Sequence, residues 1–480
     1  MHACYTNTMS ECIQVTSLVY TGAGLGHLAD GKTVFVPGAL PGDTALVEIA
    51  SAKKNYAQAR LVDLLVPSEH RIQASCEYAD RCGGCPWQIL DYGQQLAWKE
   101  RFVIDALSRI GHVENANLLV RGIVGSDQVW HYRNKVEFAV HVEGGGAGGG
   151  GAGGGAGGGA GAGGGMGGRT AGGRTAGGRI QLAMHDTGDN QPITVKCCLL
   201  LPEKLVDAPA KLAGVLNYAL AGEAVLPYRV ALRFSRRTGS SELALYSTPT
   251  GMRRSFVARL INDSFPYTSV VRVLTRDQTA ERKVVNTERL SGHGNWTERL
   301  AGQDMRISAP SFFQVNTAQA EAMITQVLGL LDWKDRRVFD LYCGAGSFTL
   351  PLARQAAEVT AVEIAGSSLR DLKRNLESAR LADRVNVVAG DVALALPQLP
   401  PAEIAVADPP RSGLDPRVID ALAAARIGQL VYVSCDPQTL ARDTALLIGH
   451  GYQLLAAYPF DLFPQTYHVE TIAHFVLPTA

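Results

Sequence analysis

Arg337-Val-Phe-Asp-Leu-Tyr-Cys-Gly-Ala-Gly-Ser-Phe-Thr-Leu350 reads as an apolar strand, a Gly-x-Gly turn at Gly344 and Gly346, and the start of an apolar helix. A strand that feeds a helix through a glycine turn opens a dinucleotide-type or S-adenosylmethionine-type α/β domain. A second β-branched run, Val359-Thr-Ala-Val-Glu363, ends in an acid 19 residues past Gly344. A carboxylate at that strand end accepts hydrogen bonds from ribose hydroxyls. Thr349 stands where a third Rossmann glycine would fall. That speaks against a pyrophosphate cradle and for a ligand with ribose but no pyrophosphate, such as S-adenosylmethionine.

Downstream, apolar runs keep ending on polar groups. Val385-Asn-Val-Val388 leads into Gly390-Asp391, placed to reach an adenine. Ile404-Ala-Val-Ala407 leads into Asp408-Pro-Pro-Arg411, whose prolines stiffen the loop. Leu430-Val-Tyr-Val433 leads into Ser434-Cys435-Asp436-Pro437, where Pro437 ends strand pairing. Cys435 therefore sits at a carboxyl-terminal strand edge, where open α/β sheets bind ligands. A thiol there is placed to attack, although free cysteines are also common as inert buried residues. The last strand, Thr471-Ile-Ala-His-Phe475, is preceded by Glu470. Asp408 and Glu470 read either as site carboxylates or as capping or ion-pair groups.

The 480 residues are too many for one core, so several domains are expected. Apolar residues make up 46% and charged residues 19%, the balance of a soluble globular protein. No run of about 18 apolar residues exists, and the first ~30 residues lack a signal-peptide pattern. The formal net charge of zero neither demands nor excludes a nucleic-acid partner. Nine cysteines in such a chain point to metal binding or catalysis before a disulfide framework.

Residues 1–12 read as a loose leader. Residues 13–67 carry short strands with glycine corners at Gly22, Gly24 and Gly26, the pattern of a small oligonucleotide-binding barrel. Lys53, Lys54 and Tyr56 offer phosphate contacts and a stacking face, or form a solvated hairpin tip. The next domain, 68–295, contains Cys76-x5-Cys82-Gly-Gly-Cys85, a thiolate cluster whose glycines let backbone N–H groups turn toward sulfur. Cys197-Cys198 is the other cysteine pair before the catalytic half. Four thiolates suit zinc or an iron–sulfur cluster, and the single C-x2-C favours [4Fe–4S] over a two-knuckle zinc site. Helical periodicity runs from Gln94 to Gly111, and Trp130 to Val142 alternates as a strand with Tyr132, Arg133 and Lys135 on a candidate RNA face. Glycine fills 23 of the 36 positions from 144 to 179, with Gly-Gly-Arg units ending at Arg169, Arg174 and Arg179; this tract is expected to be a disordered insertion. Residues 199–300 alternate helix and strand, and 296–480 forms the catalytic domain.

Asp340-Leu-Tyr-Cys-Gly-Ala-Gly-Ser-Phe348, Asp408-Pro-Pro-Arg-Ser-Gly413, Val433-Ser-Cys-Asp-Pro437 and His468-Val-Glu470 together resemble the RNA uracil-C5 methyltransferases. The amino-terminal barrel resembles a TRAM domain, and the Cys76–Cys85 run resembles that family's [4Fe–4S] site. The match covers nearly the whole chain except the leader and the glycine tract. The combination is similar to the bacterial 23S ribosomal RNA enzymes more than to the transfer-RNA enzyme. The implied fold is a TRAM barrel, a central α+β domain with the iron–sulfur site, and a class I, Rossmann-like S-adenosylmethionine domain. The resemblance implies Cys435 as nucleophile toward uracil C6 and Glu470 as general base, with His468 as runner-up. It implies Gln314, Tyr342, Gly344, Ser347, Glu363, Asp391 and Asp408 as cofactor contacts, Ser347 standing where the family commonly has asparagine. Cys76, Cys82, Cys85 and Cys198 are the implied cluster ligands, with Cys197 the alternative fourth. A cytoplasmic monomer that acts on RNA and not on membranes is expected. The rivals are a transfer-RNA uracil methyltransferase, a cytosine-C5 enzyme lacking its usual second cysteine, and a non-catalytic RNA-binding iron–sulfur protein. The last of these would fail to bind S-adenosylmethionine.

Overall fold

The computed structural model describes residues 10–143, 178–186, 191–223, 225–265, 267–276 and 283–478. Residues 1–9 of the leader and most of the glycine tract, with Arg169 and Arg174, lie outside the described residues. The chain divides into two compact units, Met1–Val129 with Asn316–Ala480, and Trp130–Val315.

In the first unit, β1 (Ser10–Leu18), β2 (Gly24–His27), β3 (Thr33–Val36), β4 (Thr44–Ala52) and β5 (Tyr56–Val66) close a barrel in the order β1-β2-β3-β5-β4. Alternate residues point inward, so Ile13, Val15, Val34, Val36, Ala45, Val47, Ala57 and Ala59 form its core. The glycines at 24 and 26, expected as a corner, are strand. A Cβ on Gly24 would lie 2.6 Å from the Ala39 carbonyl oxygen, and one on Gly26 2.7 Å from that of Gln14. These glycines permit close backbone approach inside a tight barrel. Lys53 and Lys54 are exposed at the β4–β5 tip, and the Tyr56 ring packs edgewise on Phe35.

Helix α1 (Tyr92–Arg109) starts at Asp91, which accepts from the Gln94 amide, and buries Phe102, Val103, Ala106 and Leu107. A short α2 (Ala116–Leu119) follows.

The second unit holds β6 (Lys135–Glu143), β7 (Arg179–His185), β8 (Pro192–Thr194), α3 (Ala208–Ala219), β9 (Arg229–Phe234), β10 (Ser241–Ser247), α4 (Arg254–Ser264), β11 (Ser269–Thr275) and β12 (Val284–Gly292). Its strands form one sheet in the order β12-β11-β10-β9-β6-β7-β8. The strand expected from Trp130 begins only at Lys135. Before it the backbone turns through His131 (φ 58°), and the His131 and Arg133 amides donate to Leu199 and Leu200. Tyr132 is buried and Lys135 pairs with Glu137, so neither is a free RNA-facing group in this unit.

The hairpin β13 (Trp296–Leu300) and β14 (Gln303–Ile307) also belongs to this unit. The Arg233 guanidinium donates to the carbonyls of Ser308, Ala309 and Ser311, and the Ser235 hydroxyl donates to Glu298. Residues 296–315, read from sequence with the catalytic half, therefore fold with 130–295. Residues 68–129, read with the central domain, fold with the catalytic sheet.

That catalytic sheet is built from α5 (Thr317–Leu330), β15 (Arg337–Leu341), α6 (Thr349–Gln355), β16 (Glu358–Glu363), α7 (Gly366–Ala379), β17 (Val385–Ala389), α8 (Val392–Ala395), β18 (Ile404–Ala407), α9 (Pro416–Ala424), β19 (Gln429–Ser434), α10 (Pro437–Gly449), β20 (Gln453–Phe460) and β21 (Glu470–Val476). The strand order is β17-β16-β15-β18-β19-β21-β20, parallel except for β21, which is antiparallel to both neighbours. The order reverses between β15 and β18, so the crevice for a ligand opens at the carboxyl ends of these strands. Residues Val120 and Val124 pair with Ala457 and Phe460 and cover the β20 edge.

A buried ion pair joins Lys99 of α1 to Asp461, and both side chains have no exposed surface. Tyr92 donates to the same carboxylate at 2.8 Å, and Lys99 donates to the Phe463 carbonyl at 3.1 Å. Gln95 exchanges two hydrogen bonds with Gln465. Together α1 and its neighbours clamp the 461–465 loop that leads to Glu470. Among the described residues no helix is long and apolar enough to cross a membrane.

Candidate active site

Strand β19 ends at Ser434 and β21 begins at Glu470, with Ser434 paired to Thr471 at the end of their antiparallel ladder. Cys435 and Glu470 are the next residues outward on neighbouring strands. The backbone turns sharply here because Asp436 caps α10, accepting from the Gln438 and Thr439 amides at 2.8 and 3.1 Å. Pro437 occupies the first turn of that helix, where its missing N–H costs nothing. The thiol is thus held at a strand-to-helix corner.

The electrostatics of this corner favour neutral groups at rest. Burial pushes the Cys435 thiol up to about 12, the Glu470 charge adds to the rise, and the Arg411 guanidinium opposes it. Burial also pushes the Glu470 carboxyl well above the usual range, with Asp408 adding and Arg411 opposing. Desolvation brings Asp408 to about 7. A thiol in this setting gives up its proton in the act of attack, and a carboxylate so raised is a stronger base than an exposed one.

The glycine turn lies at the end of β15. Tyr342, Gly344 and Gly346 all take positive φ, at 62°, 57° and 101°. A Cβ on Gly346 would meet Leu350 Cδ1 at 2.5 Å and Leu372 Cδ1 at 2.8 Å, whereas one on Gly344 would enter open space. Glu363 accepts from the Gly344 amide at 2.9 Å and the Ala365 amide at 2.6 Å. Asp391 caps α8, accepting from Ala393 at 2.8 Å. Ile364 and Leu394, which follow these two acids closely, are 67% and 63% exposed. Beneath the turn, buried Asp340 accepts from Thr349 through one oxygen, while its Oδ1 has no partner. Burial brings its carboxyl to about 7. Acids at two adjacent strand ends, exposed apolar side chains beside them and an open face on Gly344 fit a cationic ligand with a ribose and a flat base. S-adenosylmethionine is such a ligand.

Of the residues singled out in the sequence, Cys435, Glu470, Asp408, Tyr342, Gly344, Ser347, Glu363 and Asp391 share this sheet's carboxyl-terminal side. Gln314 belongs to the second unit, where its carbonyl accepts from Asn134 at 2.8 Å. His468 lies against Tyr467, with ring centroids 4.5 Å apart. Three contributors escaped sequence reading. Arg411 carries the charge that opposes both raised groups, Ile364 shows its exposure only in the fold, and Tyr20 of the barrel donates to the Cys435 carbonyl at 3.2 Å. Only Arg411 had a sequence signal, its place in the Asp-Pro-Pro-Arg loop.

Cys76, Cys82 and Cys85 lie half-buried on the loop closed by the Arg71–Leu90 bridge. The Cys76 amide donates to Gln88, and the Gly84 amide points at the Cys82 sulfur at 3.4 Å. Cys198 belongs to the second unit. Among the described residues no three His, Cys, Asp or Glu side chains converge to hold a metal ion.

The sequence profile of the tRNA (uracil-5-)-methyltransferases matches residues 271–476, and that of the TRAM domain matches residues 12–62. An uncharacterized RNA methyltransferase of Thermosynechococcus vestitus is 33% identical over 475 residues, covering 96% of this chain and 96% of that protein. One of Gloeobacter violaceus is 33% identical over 474 residues, covering 96% and 95%. Among solved structures, the Pyrococcus abyssi tRNA (uracil-54, C5)-methyltransferase bound to S-adenosyl-L-homocysteine is similar with a TM-score of 0.71. At 21% identity, over 97% of this chain and 99% of that one, the likeness shows a shared fold.

Proposed function

This chain belongs to the RNA uracil-5 methyltransferase family, and from that premise we propose that it methylates C5 of a uridine in 23S ribosomal RNA, with Cys435 as nucleophile and Glu470 as general base. The observation that carries the chemistry of this reading is the placement of Cys435 and Glu470 side by side beyond the Ser434–Thr471 pair. Uracil C5 is a poor nucleophile. Addition of the Cys435 sulfur to C6, its proton passing to solvent as the C–S bond forms, converts the ring to an enolate, and C5 becomes able to attack an electrophile. S-adenosylmethionine supplies the electrophilic methyl group when bound. Glu470 then removes the C5 proton, the C5–C6 double bond re-forms and the C6–S bond breaks, returning Cys435. Arg411 is the cation that favours the thiolate as it forms.

Tyr342, Gly344, Ser347, Glu363, Asp391 and Asp408 are the residues we assign to the cofactor. The barrel tip, with exposed Lys53 and Lys54 and half-exposed Tyr56, suits a phosphate backbone and an unpaired base. The target uridine must leave its stack to meet a thiol in this crevice. We assign Cys76, Cys82 and Cys85 to a [4Fe–4S] cluster, supported by three half-buried thiols on one loop and an amide turned toward one sulfur. Anaerobic purification should yield iron and acid-labile sulfide in equal amounts; zinc without sulfide would overturn the assignment. The enzyme is proposed to work as a cytoplasmic monomer.

Transfer RNA is the second reading, favoured by the fold shared end to end with the Pyrococcus abyssi enzyme. The test is intact mass after incubation with S-adenosylmethionine and transcripts carrying 5-fluorouridine, whose fluorine Glu470 cannot remove as a proton. A trapped adduct on Cys435 with 23S segments supports the proposal. An adduct with tRNA alone moves the substrate, and no adduct with either removes Cys435 from the mechanism.

A further inference from the structure

Tyr20 follows β1 in a turn closed by the Gly22 amide donating to the Val19 carbonyl at 2.7 Å. Its phenol crosses to the catalytic sheet and donates to the Cys435 carbonyl at 3.2 Å, joining residues 415 positions apart. We propose that Tyr20 is a positioning residue through which the amino-terminal barrel fixes the turn that carries the nucleophile. The inference rests on Cys435 being that nucleophile.

The ring has little freedom. It meets Phe102 of α1 edge-on at 5.8 Å and Tyr467 at 6.0 Å. Tyr467 can come this close because Gly22 has no side chain; a Cβ there would lie 2.5 Å from Tyr467 Cδ1. The Trp87 indole donates to the Gly22 carbonyl at 3.2 Å and pins the turn from the other side. A phenol held between two rings loses little entropy when it forms its hydrogen bond.

The carbonyls around Cys435 show why the contact matters. That of Asp436 is met locally by the hydroxyls of Ser434 and Thr439, at 3.0 and 3.2 Å. That of Cys435 receives the Tyr20 hydroxyl from a different domain. Burial raises the phenol beyond its ordinary titration range, with the Asp436, Cys435 and Glu470 charges adding and Arg411 opposing. Tyr20 therefore stays a donor throughout the working pH range. The barrel does more than hold RNA: it completes the scaffold behind the reacting sulfur.

Tyr20→Phe keeps the ring packing and removes the hydroxyl alone. The experiment follows adduct formation in single turnover, using S-adenosylmethionine and the 5-fluorouridine 23S and tRNA transcripts. The expected result is adduct formation slowed about three- to tenfold at saturating RNA, the scale of one lost hydrogen bond. Half-saturating RNA concentration and thermal midpoint should match the parent. Tyr20→Ala, which also removes the packing, should lower the thermal midpoint and so separates the two contributions. A Tyr20→Phe rate equal to the parent's overturns the proposal while leaving Cys435 intact. So does a rate loss accounted for by weaker RNA binding, which would place the effect in substrate binding and not in positioning the turn. Failure of the parent to form any adduct overturns Cys435 as nucleophile and Tyr20's role with it.

Discussion

Cys435 and Glu470 sit on adjacent antiparallel strands, each one residue past the Ser434–Thr471 pair. Two groups set by strand register hold their spacing without relying on a loop. The same register buries Glu470 and half-buries Cys435, which explains why each is pushed toward its neutral form.

Replacing Glu470 by Gln should leave addition and methyl transfer possible while blocking proton removal. Turnover should fall by about 10²-fold or more, the usual scale for losing a positioned base. The methylated adduct should accumulate with ordinary uridine RNA and be visible by intact mass. In the parent, activity should decline as pH falls through the raised Glu470 titration, at higher pH than for an exposed carboxylate. Glu470→Gln should lose that acid limb.

Iodoacetamide should alkylate Cys435 slowly in the RNA-free protein, because the thiol titrates near 12. Its rate should keep rising with pH beyond the ~8.5 at which an ordinary cysteine levels off. Arg411→Ala removes the opposing cation, so alkylation at any one pH should slow further. Peptide mapping resolved by pH checks both; a plateau near 8.5 would contradict the electrostatics of the corner.

Gly344 and Gly346 should respond differently to alanine. Gly346→Ala, with its Cβ driven into Leu350 and Leu372, should cost about 3 kcal/mol or more of stability. Gly344→Ala should cost only about 1–2 kcal/mol for its left-handed backbone. Its methyl group fills the open face of the turn, so S-adenosylmethionine affinity should drop well beyond that stability loss. Thermal melts and titration calorimetry distinguish the two.

Lys99→Met should destabilise the first unit by about 3–5 kcal/mol, since Asp461 would be left buried without its cation. Adding Asp461→Leu should recover much of that loss. Denaturant unfolding of the single and double variants gives the coupling directly.

The catalytic sheet was readable because its signals are local. Residues 337–350 carry strand, turn and helix in one run, and the acids at Glu363 and Asp391 follow their own strands. Cys435 gained meaning only from this series, since a thiol beside a proline says little alone. What stayed hidden depends on distant parts of the chain. Gly24 and Gly26 look like a turn, yet their role is set by the carbonyls of Ala39 and Gln14. Trp296 to Val315 looks like the approach to the catalytic helix, yet Arg233 ties its carbonyls to the other unit. Tyr20 has no pattern around it that points to residue 435. Nothing in the Gln94–Gly111 run marks Lys99 as buried until Asp461 is placed beside it.

The ion pair between Lys99 and Asp461 spans 362 positions, with the whole second unit made in between. At roughly 5–20 residues per second, about 20–70 s of synthesis separate the two charges. During that time the second unit, contiguous in the chain, has all its strands available, while α1 can pack Phe102 on Leu18, Leu40, Trp87 and Leu90 but presents Lys99 without its partner. The first unit can close only when residues 461–476 leave the ribosome. Completion of its sheet is thus a late, long-range step, and truncation within the last strands should leave the finished inner unit and the amino-terminal barrel beside an unclosed sheet.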